Sequence, residues 1–200
     1  MKEITLDITV VKKIFNTLKK SLSRDNSRPI LQWIKVEVKE DKVNAIALDG
    51  YMMTMSSIEL KEKPDEEFDF YIQPFYIPTY RTGGTVKFSV EEDNRLSIEI
   101  KSLTSRDTIT YSIQQPLAEF INWRNVIPEV DEDLKICVDA RLLTDALNGF
   151  KDSHDTKNAV WLKFKRRDNG IDIISPIVLE QKAENGITNK GIVLPIRAVE

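Results

Sequence analysis

The chain has one cysteine and one histidine in two hundred residues. A single thiol, Cys137, cannot close an internal disulfide, and within the alternating stretch "LKICVD" it is expected as a small buried hydrophobe. With His154 the only histidine, no cluster of histidine, cysteine and carboxylate has metal-ligand spacing. His154 itself, in the polar stretch "KDSHDTKN", is expected on a surface loop. No apolar run approaches ~18 residues, so no helical membrane span is expected, and the opening "MKEITLD" carries neither the basic nor the apolar segment of a secretory signal. The expected location is cytoplasmic. No serine sits in a nucleophile elbow, and "RTGGT" lacks the lysine and the spacing of a phosphate loop. Carboxylates are plentiful but scattered, so the sequence reads as a non-enzyme with no cofactor and no metal.

What is present is the composition of an ordinary globular protein, 41% hydrophobic and 30% charged, long enough for one large core or two modest ones. The net charge of -3 does not announce a nucleic-acid partner, but the charge is segregated. Between Val10 and Arg28 there are Lys12, Lys13, Lys19, Lys20, Arg24 and Arg28 against Asp25 alone, whereas "ELKEKPDEEFD" and "PEVDED" are acidic.

The spacing predicts a short strand in "EITLD", a cap at Asp7, and an amphipathic helix in "ITVVKKIFNTLKKSLSR". At 100° per residue Val10, Val11, Ile14, Phe15, Leu18 and Leu22 share one arc, with the lysines and Arg24 opposite. After Pro29 the period becomes two, predicting antiparallel strands in "ILQWIKVEVKE", "KVNAIALDG" and "YMMTMSSIEL" with turns at Glu40-Asp41 and Asp49-Gly50. "FDFYIQ" reads as a strand and "PFYIPTYRTGG" as a short helix begun by Pro74 and ended by Gly83-Gly84, with three more strands through "DTITYSIQ". After the connector "QPLAEFINWRNVIPEVDED" the order recurs: strand "LKICV", cap Asp139, helix "ARLLTDALNGF", and strands "AVWLKFKRR", "GIDIISPIVLEQ" and "GIVLPIR". A strand, helix and three-strand unit therefore occurs three times, beginning near Ile4, Phe68 and Leu134. The expected fold class is α+β, with helices on one face of antiparallel sheets. The expected organisation is a two-unit domain over 1–115, a connector over 116–132 and a half domain over 133–200.

This organisation is DNA-clamp-like: it resembles the bacterial sliding clamp, the β subunit of DNA polymerase III, a ring built from such units. Three segments carry the resemblance. "RPILQWIKVEVKEDKVNAIALDGYMMTMSSI" is similar to the clamp pattern in which a Pro-Ile-Leu strand leads to a "TDG" turn, here Leu48-Asp49-Gly50. "AEFINWRNVIP" resembles the interdomain connector, with Phe120, Arg124, Val126 and Pro128 matching, Trp123 in place of a tyrosine and Ile121 departing from a proline. "GIVLPIR" resembles the clamp's terminal strand. Half the units of a full clamp chain are missing; four copies would restore the unit count of the ring, which implies a homo-oligomer.

The resemblance implies a replication or repair processivity factor that docks peptides of DNA polymerases and repair proteins, typically a Gln followed by Leu and Phe side chains. The implied pocket walls are Leu48, Gly50, Tyr51 and Met53, then Ile121, Asn125 and Val126, then Val193, Leu194, Pro195, Ile196 and Arg197. Methionines suit a surface that accepts varied apolar anchors, although Tyr51-Met52-Met53-Thr54-Met55 also fits a strand with one face in the core. Double-stranded DNA is the further partner implied, through Lys12, Lys13, Lys19, Lys20 and Arg24, against phosphates without base reading. The third helix offers Arg141 and Lys151 but also Asp139, Asp145 and Asp152, and the second only Arg81, so a single chain is expected to encircle DNA weakly or not at all. Two other readings stand beside this one: a non-sequence-specific DNA-binding module using the basic helix, and a degenerate clamp fragment serving as a protein-interaction module.

Overall fold

The computed structural model describes residues 2–60, 63–80, 83–104, 108–128, 135–150, 159–167, 170–182 and 188–196. Arg81, Leu134, Lys151, Asp152, His154 and Arg197, named above, lie outside the described residues. The chain divides into two compact units, Met1–Ile127 and Pro128–Glu200.

In the first unit, strand β1 (Lys2–Asp7) runs into helix α1 (Ile8–Leu18). Asp7 caps the helix, its Oδ1 accepting from the Thr9 N–H at 2.7 Å. The 3.6-residue spacing buries Ile8, Val11, Ile14, Phe15 and Leu18 on one face. The helix is shorter than its pattern suggested: Lys19–Ser21 tighten into a 3-10 turn and Leu22 is already extended. Pro29–Gln32 form another 3-10 turn where a strand was expected, because Pro29 fixes a helical φ at the first position.

Strands β2 (Ile34–Lys39), β3 (Lys42–Leu48), β4 (Met53–Glu59) and β5 (Phe68–Ile72) follow, then β6 (Gly84–Val90), β7 (Arg95–Ser102) and β8 (Thr108–Gln114). They form two antiparallel four-stranded sheets, ordered β4-β3-β2-β5 and β1-β6-β7-β8. The first strand of each repeat has joined the sheet of the other: β1 pairs β6, and β5 pairs β2. Helix α1 packs on β1 and β6 of one sheet and on β3 and β4 of the other, so a single core including Phe15, Leu18, Ile34, Val43, Phe70, Phe88 and Ile98 joins both. Each such apolar side chain contributes about 1.5–3 kcal/mol by leaving water.

Over its described residues the helix expected at Pro74–Gly84 is not formed; residues 73–80 are irregular. Pro78 has no N–H to donate to the Pro74 carbonyl, and it biases Ile77 towards extended backbone. The segment still covers α1. Phe75 meets Phe15 edge-on with centroids 5.2 Å apart, Tyr111 packs on Phe75 at 5.3 Å, and Lys12 Nζ donates to Thr79 Oγ1 at 2.9 Å. Gly84 begins β6 rather than ending a helix, and a Cβ there would stand 2.4 Å from the Lys101 carbonyl oxygen.

The second unit holds helix α2 (Ala140–Asn148), strand β9 (Trp161–Lys163), a small hairpin of β10 (Arg166–Arg167) and β11 (Gly170–Ile171), and strands β12 (Ile177–Lys182) and β13 (Thr188–Val193). Strands β13, β12 and β9 form one antiparallel sheet. Asp139 caps α2 through the N–H groups of Arg141 at 2.7 Å and Leu142 at 3.2 Å. The strand expected at 134–138 reduces, among its described residues, to one bridge between Val138 and Pro195. Cys137 is exposed, not buried, because the alternation turns Ile136 and Val138 to the core and puts the thiol out of phase with them. The core here is small: Phe150, Ile177, Leu179 and Val193.

Candidate functional site

The face of the β4-β3-β2-β5 sheet turned away from the core carries an unusual group. Ile34, Val36 and Val38 point inward, so alternation sends Lys35 and Glu37 outward, yet the Glu37 side chain is only 3% exposed. The connector covers it. Glu37 Oε1 accepts from Trp123 Nε1 at 3.2 Å and from Arg124 Nη1 at 3.3 Å, and Oε2 accepts from Arg124 Nη2 at 2.8 Å. Lys35 Nζ lies 3.3 Å from the same carboxylate, and the Arg124 guanidinium stacks 4.2 Å over the Trp123 ring. Burial by itself pushes the Glu37 carboxyl up, but the hydrogen bonds from Arg124, Trp123 and Lys35 outweigh it and hold the pKa at about 2. For Lys35, burial pulls the ammonium down, and the bond to Glu37 together with the charges of Tyr71, Glu37 and Asp69 outweighs it, leaving it raised.

Two further contacts hold the connector. The Gln115 side chain brackets Tyr71, accepting from its N–H at 2.6 Å and donating to its carbonyl at 3.0 Å, which closes part of the free edge of β5. Phe120 lies 6.2 Å from the Tyr71 ring. Asn122 starts a 3-10 turn over Trp123–Val126, accepting from the Arg124 N–H at 3.3 Å.

Beside this latch runs an open groove of about 490 Å³, lined by Ser27 to Leu31 with Trp33 on one side and by Pro116, Leu117, Ala118 and Ile121 on the other. Continuing the β2–β3 register sets Trp33 opposite Leu48. The Arg28 guanidinium lies 3.8 Å from where a Gly50 side chain would begin. The groove is therefore continuous with the turn between β3 and β4. In that turn Asp49 Oδ1 accepts from the N–H groups of Tyr51 at 2.8 Å and Met52 at 2.9 Å, bonds that lower its pKa, and Gly50 takes a left-handed φ of 98°.

Of the expected pocket residues, Ile121 is exposed on the wall of this groove, Gly50 neighbours its residue Arg28, and Leu48 is buried at the end of β3. Tyr51 is fully exposed at the turn, Met53 is half-buried opposite Leu48, and Asn125 and Val126 are exposed on the connector turn. In the second unit, described by itself, Val193 is buried in the core, Leu194 and Ile196 are exposed, and Pro195 bridges Val138. The sequence does not single out Arg28, Ile30, Leu31, Trp33 and Leu117 as site residues; Ile30–Trp33 carry a strand pattern, Pro29–Gln32 form a 3-10 turn, and only the fold brings them beside Pro116–Ile121.

Of the basic residues, Lys13, Lys20 and Arg24 are exposed, Lys12 is tied to Thr79, and Lys19 Nζ donates to Asn16 Oδ1 at 2.9 Å. Lys12 and Lys13 belong to α1, Lys19 and Lys20 to the 3-10 turn after it, and Arg24 to the loop. Among the described residues no three His, Cys, Asp or Glu side chains converge as a metal cage, and no helix is long and apolar enough to cross a membrane.

Residues 5–106, just over half the chain, match the family model of the DNA polymerase III beta subunit, central domain. The chain belongs to that family. Its fold is similar along nearly its whole length to solved sliding clamps. Against the β chain of DNA polymerase III from Streptococcus pneumoniae the TM-score is 0.74 at 16% identity, covering 98% of this chain and 50% of that one. Against the Pseudomonas aeruginosa sliding clamp bound to griselimycin it is 0.75 at 12% identity, covering 97% and 50%. Against the Thermotoga maritima β subunit it is 0.70 at 16% identity, again covering 97% and 50%. This chain spans about half the length of these proteins. No curated protein matches it. The clamp family member is an α+β protein of antiparallel sheets, with the qualification that the helix of the second repeat is replaced by the irregular segment 73–80.

Proposed function

We propose that the chain is a tethering factor of DNA replication or repair that docks apolar peptides of polymerases or repair proteins, with no chemistry of its own. The observation that carries this reading is the groove between Ser27–Trp33 and Pro116–Ile121, apolar, open and held in place by the Glu37 latch, in a member of the clamp family. The proposed docking residues of the first unit are Leu48, Gly50, Tyr51, Met53, Ile121, Asn125 and Val126; those proposed in the second unit, taken by itself, are Val193, Leu194, Pro195, Ile196 and Arg197. Burying a leucine and a phenylalanine of a peptide would supply roughly 1.5–3 kcal/mol each, enough with a few backbone hydrogen bonds for micromolar binding.

The test is a fluorescence-anisotropy titration of a labelled Gln-Leu-x-Leu-Phe peptide against the chain and its Met53→Asp, Ile121→Asp and Leu194→Asp variants. Saturable binding lost in the variants supports the reading, and a folded wild-type chain that leaves the anisotropy flat refutes it. A second reading is favoured by the exposure of Lys13, Lys20 and Arg24: the basic stretch contacts the phosphates of double-stranded DNA. It requires affinity that falls steeply with salt, and salt-insensitive retention on DNA would refute it.

A further inference from the structure

The two repeats of the first unit correspond position by position, and they differ at one strand edge. The Leu60 N–H donates to the Asp41 carbonyl at 2.6 Å as the Gln115 N–H donates to the Asn94 carbonyl at 3.2 Å. Lys87 pairs with Glu3 at 2.8 Å as Lys35 pairs with Asp69 at 3.4 Å. Thr5 stands opposite Lys87 where Tyr71 stands opposite Lys35, so Thr5 is the counterpart of Tyr71, and Leu60 that of Gln115. Tyr71 turns its N–H and carbonyl away from β2, where the Gln115 side chain takes them at 2.6 and 3.0 Å. Antiparallel alternation turns the same two groups of Thr5 away from β6. Leu60 has no amide to take them, and among the described residues nothing replaces it.

The packing beside the edge differs in the same sense. In the second repeat Tyr111 packs on Phe75 at 5.3 Å, and its hydroxyl donates to the Tyr76 carbonyl at 3.1 Å. By register its counterpart on β4 is Ser56, whose side chain is far shorter. Between β1 and β4 lies an open groove of about 500 Å³, with half-buried Leu6, Val10, Ile58 and Leu60 along it. Its charged lining is Glu3, Asp7 and Glu59 against Lys63 alone.

We propose that this groove takes an extended, basic peptide of a partner protein, which adds to β1 as an outer strand. The main chain of the peptide supplies to Thr5 the donor and acceptor that the Gln115 amide supplies to Tyr71. Apolar side chains at alternate positions enter the gap beside Leu6 and Ile58, and basic side chains between them meet the acidic rim. The site shares no residue with the groove between Ser27–Trp33 and Pro116–Ile121, so the two stand or fall separately.

Titration of the full chain with the peptide Lys-Val-Thr-Val-Lys, followed by amide chemical shifts and hydrogen exchange, tests it. Both valines fall on one side of this peptide when it is extended. The Thr5 N–H is expected to exchange freely in the chain alone, and to shift saturably and exchange more slowly with peptide. Glu-Val-Thr-Val-Glu is expected to bind at least about tenfold more weakly. Leu60→Gln is expected to bracket Thr5 from within the chain, slowing its exchange without peptide and abolishing the peptide's effect, while Leu60→Met behaves as wild type. A Thr5 N–H already protected in the chain alone, one that neither shifts nor slows at millimolar peptide, equal binding of the two peptides, or a folded Leu60→Gln chain that binds the peptide unchanged would each overturn the proposal.

Discussion

Replacing Glu37 by glutamine is the most informative single change to the connector. The carboxylate accepts from Trp123 Nε1 at 3.2 Å and from Arg124 at 3.3 and 2.8 Å, with Lys35 at 3.3 Å, and its side chain is 3% exposed. Hydrogen bonds to a buried charge contribute about 1.5–3 kcal/mol each, but the Arg124 side chain is half exposed, which screens its share. Glutamine keeps the shape, loses the charge, and faces four donor atoms with one acceptor oxygen. The expected destabilisation at neutral pH is about 1–3 kcal/mol in a urea titration. The pH dependence gives a sharper test. The folded pKa of about 2 lies below the ordinary 4.5, so the unfolded chain binds more protons between those values. Glu37's contribution is therefore fully present above about pH 4.5 and is lost as pH falls towards 2, and the gap between wild type and Glu37→Gln should narrow over that window. A variant within about 0.5 kcal/mol of wild type at pH 7, or a gap that stays constant on acidification, would refute the latch.

Gly84→Ala should destabilise by about 1–3 kcal/mol in thermal melts although its φ is ordinary, because the new Cβ meets the Lys101 carbonyl at 2.4 Å and Tyr80 Cδ2 at 3.0 Å. Gly50→Ala meets open space, with Arg28 3.8 Å away, so its cost of about 1 kcal/mol comes from the left-handed backbone alone and should appear as a smaller shift in the same melts. Phe15→Ala should cost about 3–5 kcal/mol by chemical denaturation, since it removes the side chain that joins both sheets to Phe75. Reversing Lys13, Lys20 and Arg24 together to glutamate should leave stability within about 0.5 kcal/mol while abolishing any retention on double-stranded DNA, read by filter binding at low and high salt.

Much of the fold was legible because its signals are local. The aspartate caps, the buried face of α1 and most period-two strands each depend on a few neighbouring residues and appear where expected. However, α1 ends at Leu18, β2 begins only at Ile34, and the single strands expected in "AVWLKFKRR" and "GIDIISPIVLEQ" each divide in two, as β9 with β10 and β11 with β12. The departures have physical causes that lie beyond one stretch. Residues 73–80 had helical punctuation at both ends, but Pro78 sits where a helix needs an N–H, and the aromatic side chains find Phe15 and Tyr111 instead. Strand β1 reads the same whether it pairs with its own repeat or with the next, so the exchange is invisible in the alternation. Glu37 reads as an outward-facing residue of "KVEVKE"; the Arg124 that buries it is 87 positions away. The groove is divided in the same manner between Ser27–Trp33 and Pro116–Ile121.

The methionine run combines two of these cases. Strand β4 is the edge of its sheet, and alternation divides the run between two faces. Thr54, Ser56 and Ile58 turn towards the core face, where Thr54 Oγ1 meets Ser21 Oγ of the 3-10 turn after α1 at 2.6 Å and Ile58 packs on the core. Met53 and Met55 lie on the opposite face beside Leu48 and Ile46, which are buried without belonging to that core. An edge strand with two apolar outward positions is a liability for aggregation unless something covers it. Polar substitution there would be the simple remedy for a free monomer, and Ser57 and Glu59 supply it further along the same face. Its absence at Met53 and Met55 fits the docking role proposed above: an edge apolar enough to gain from a partner, and flexible enough to accept side chains of different shape.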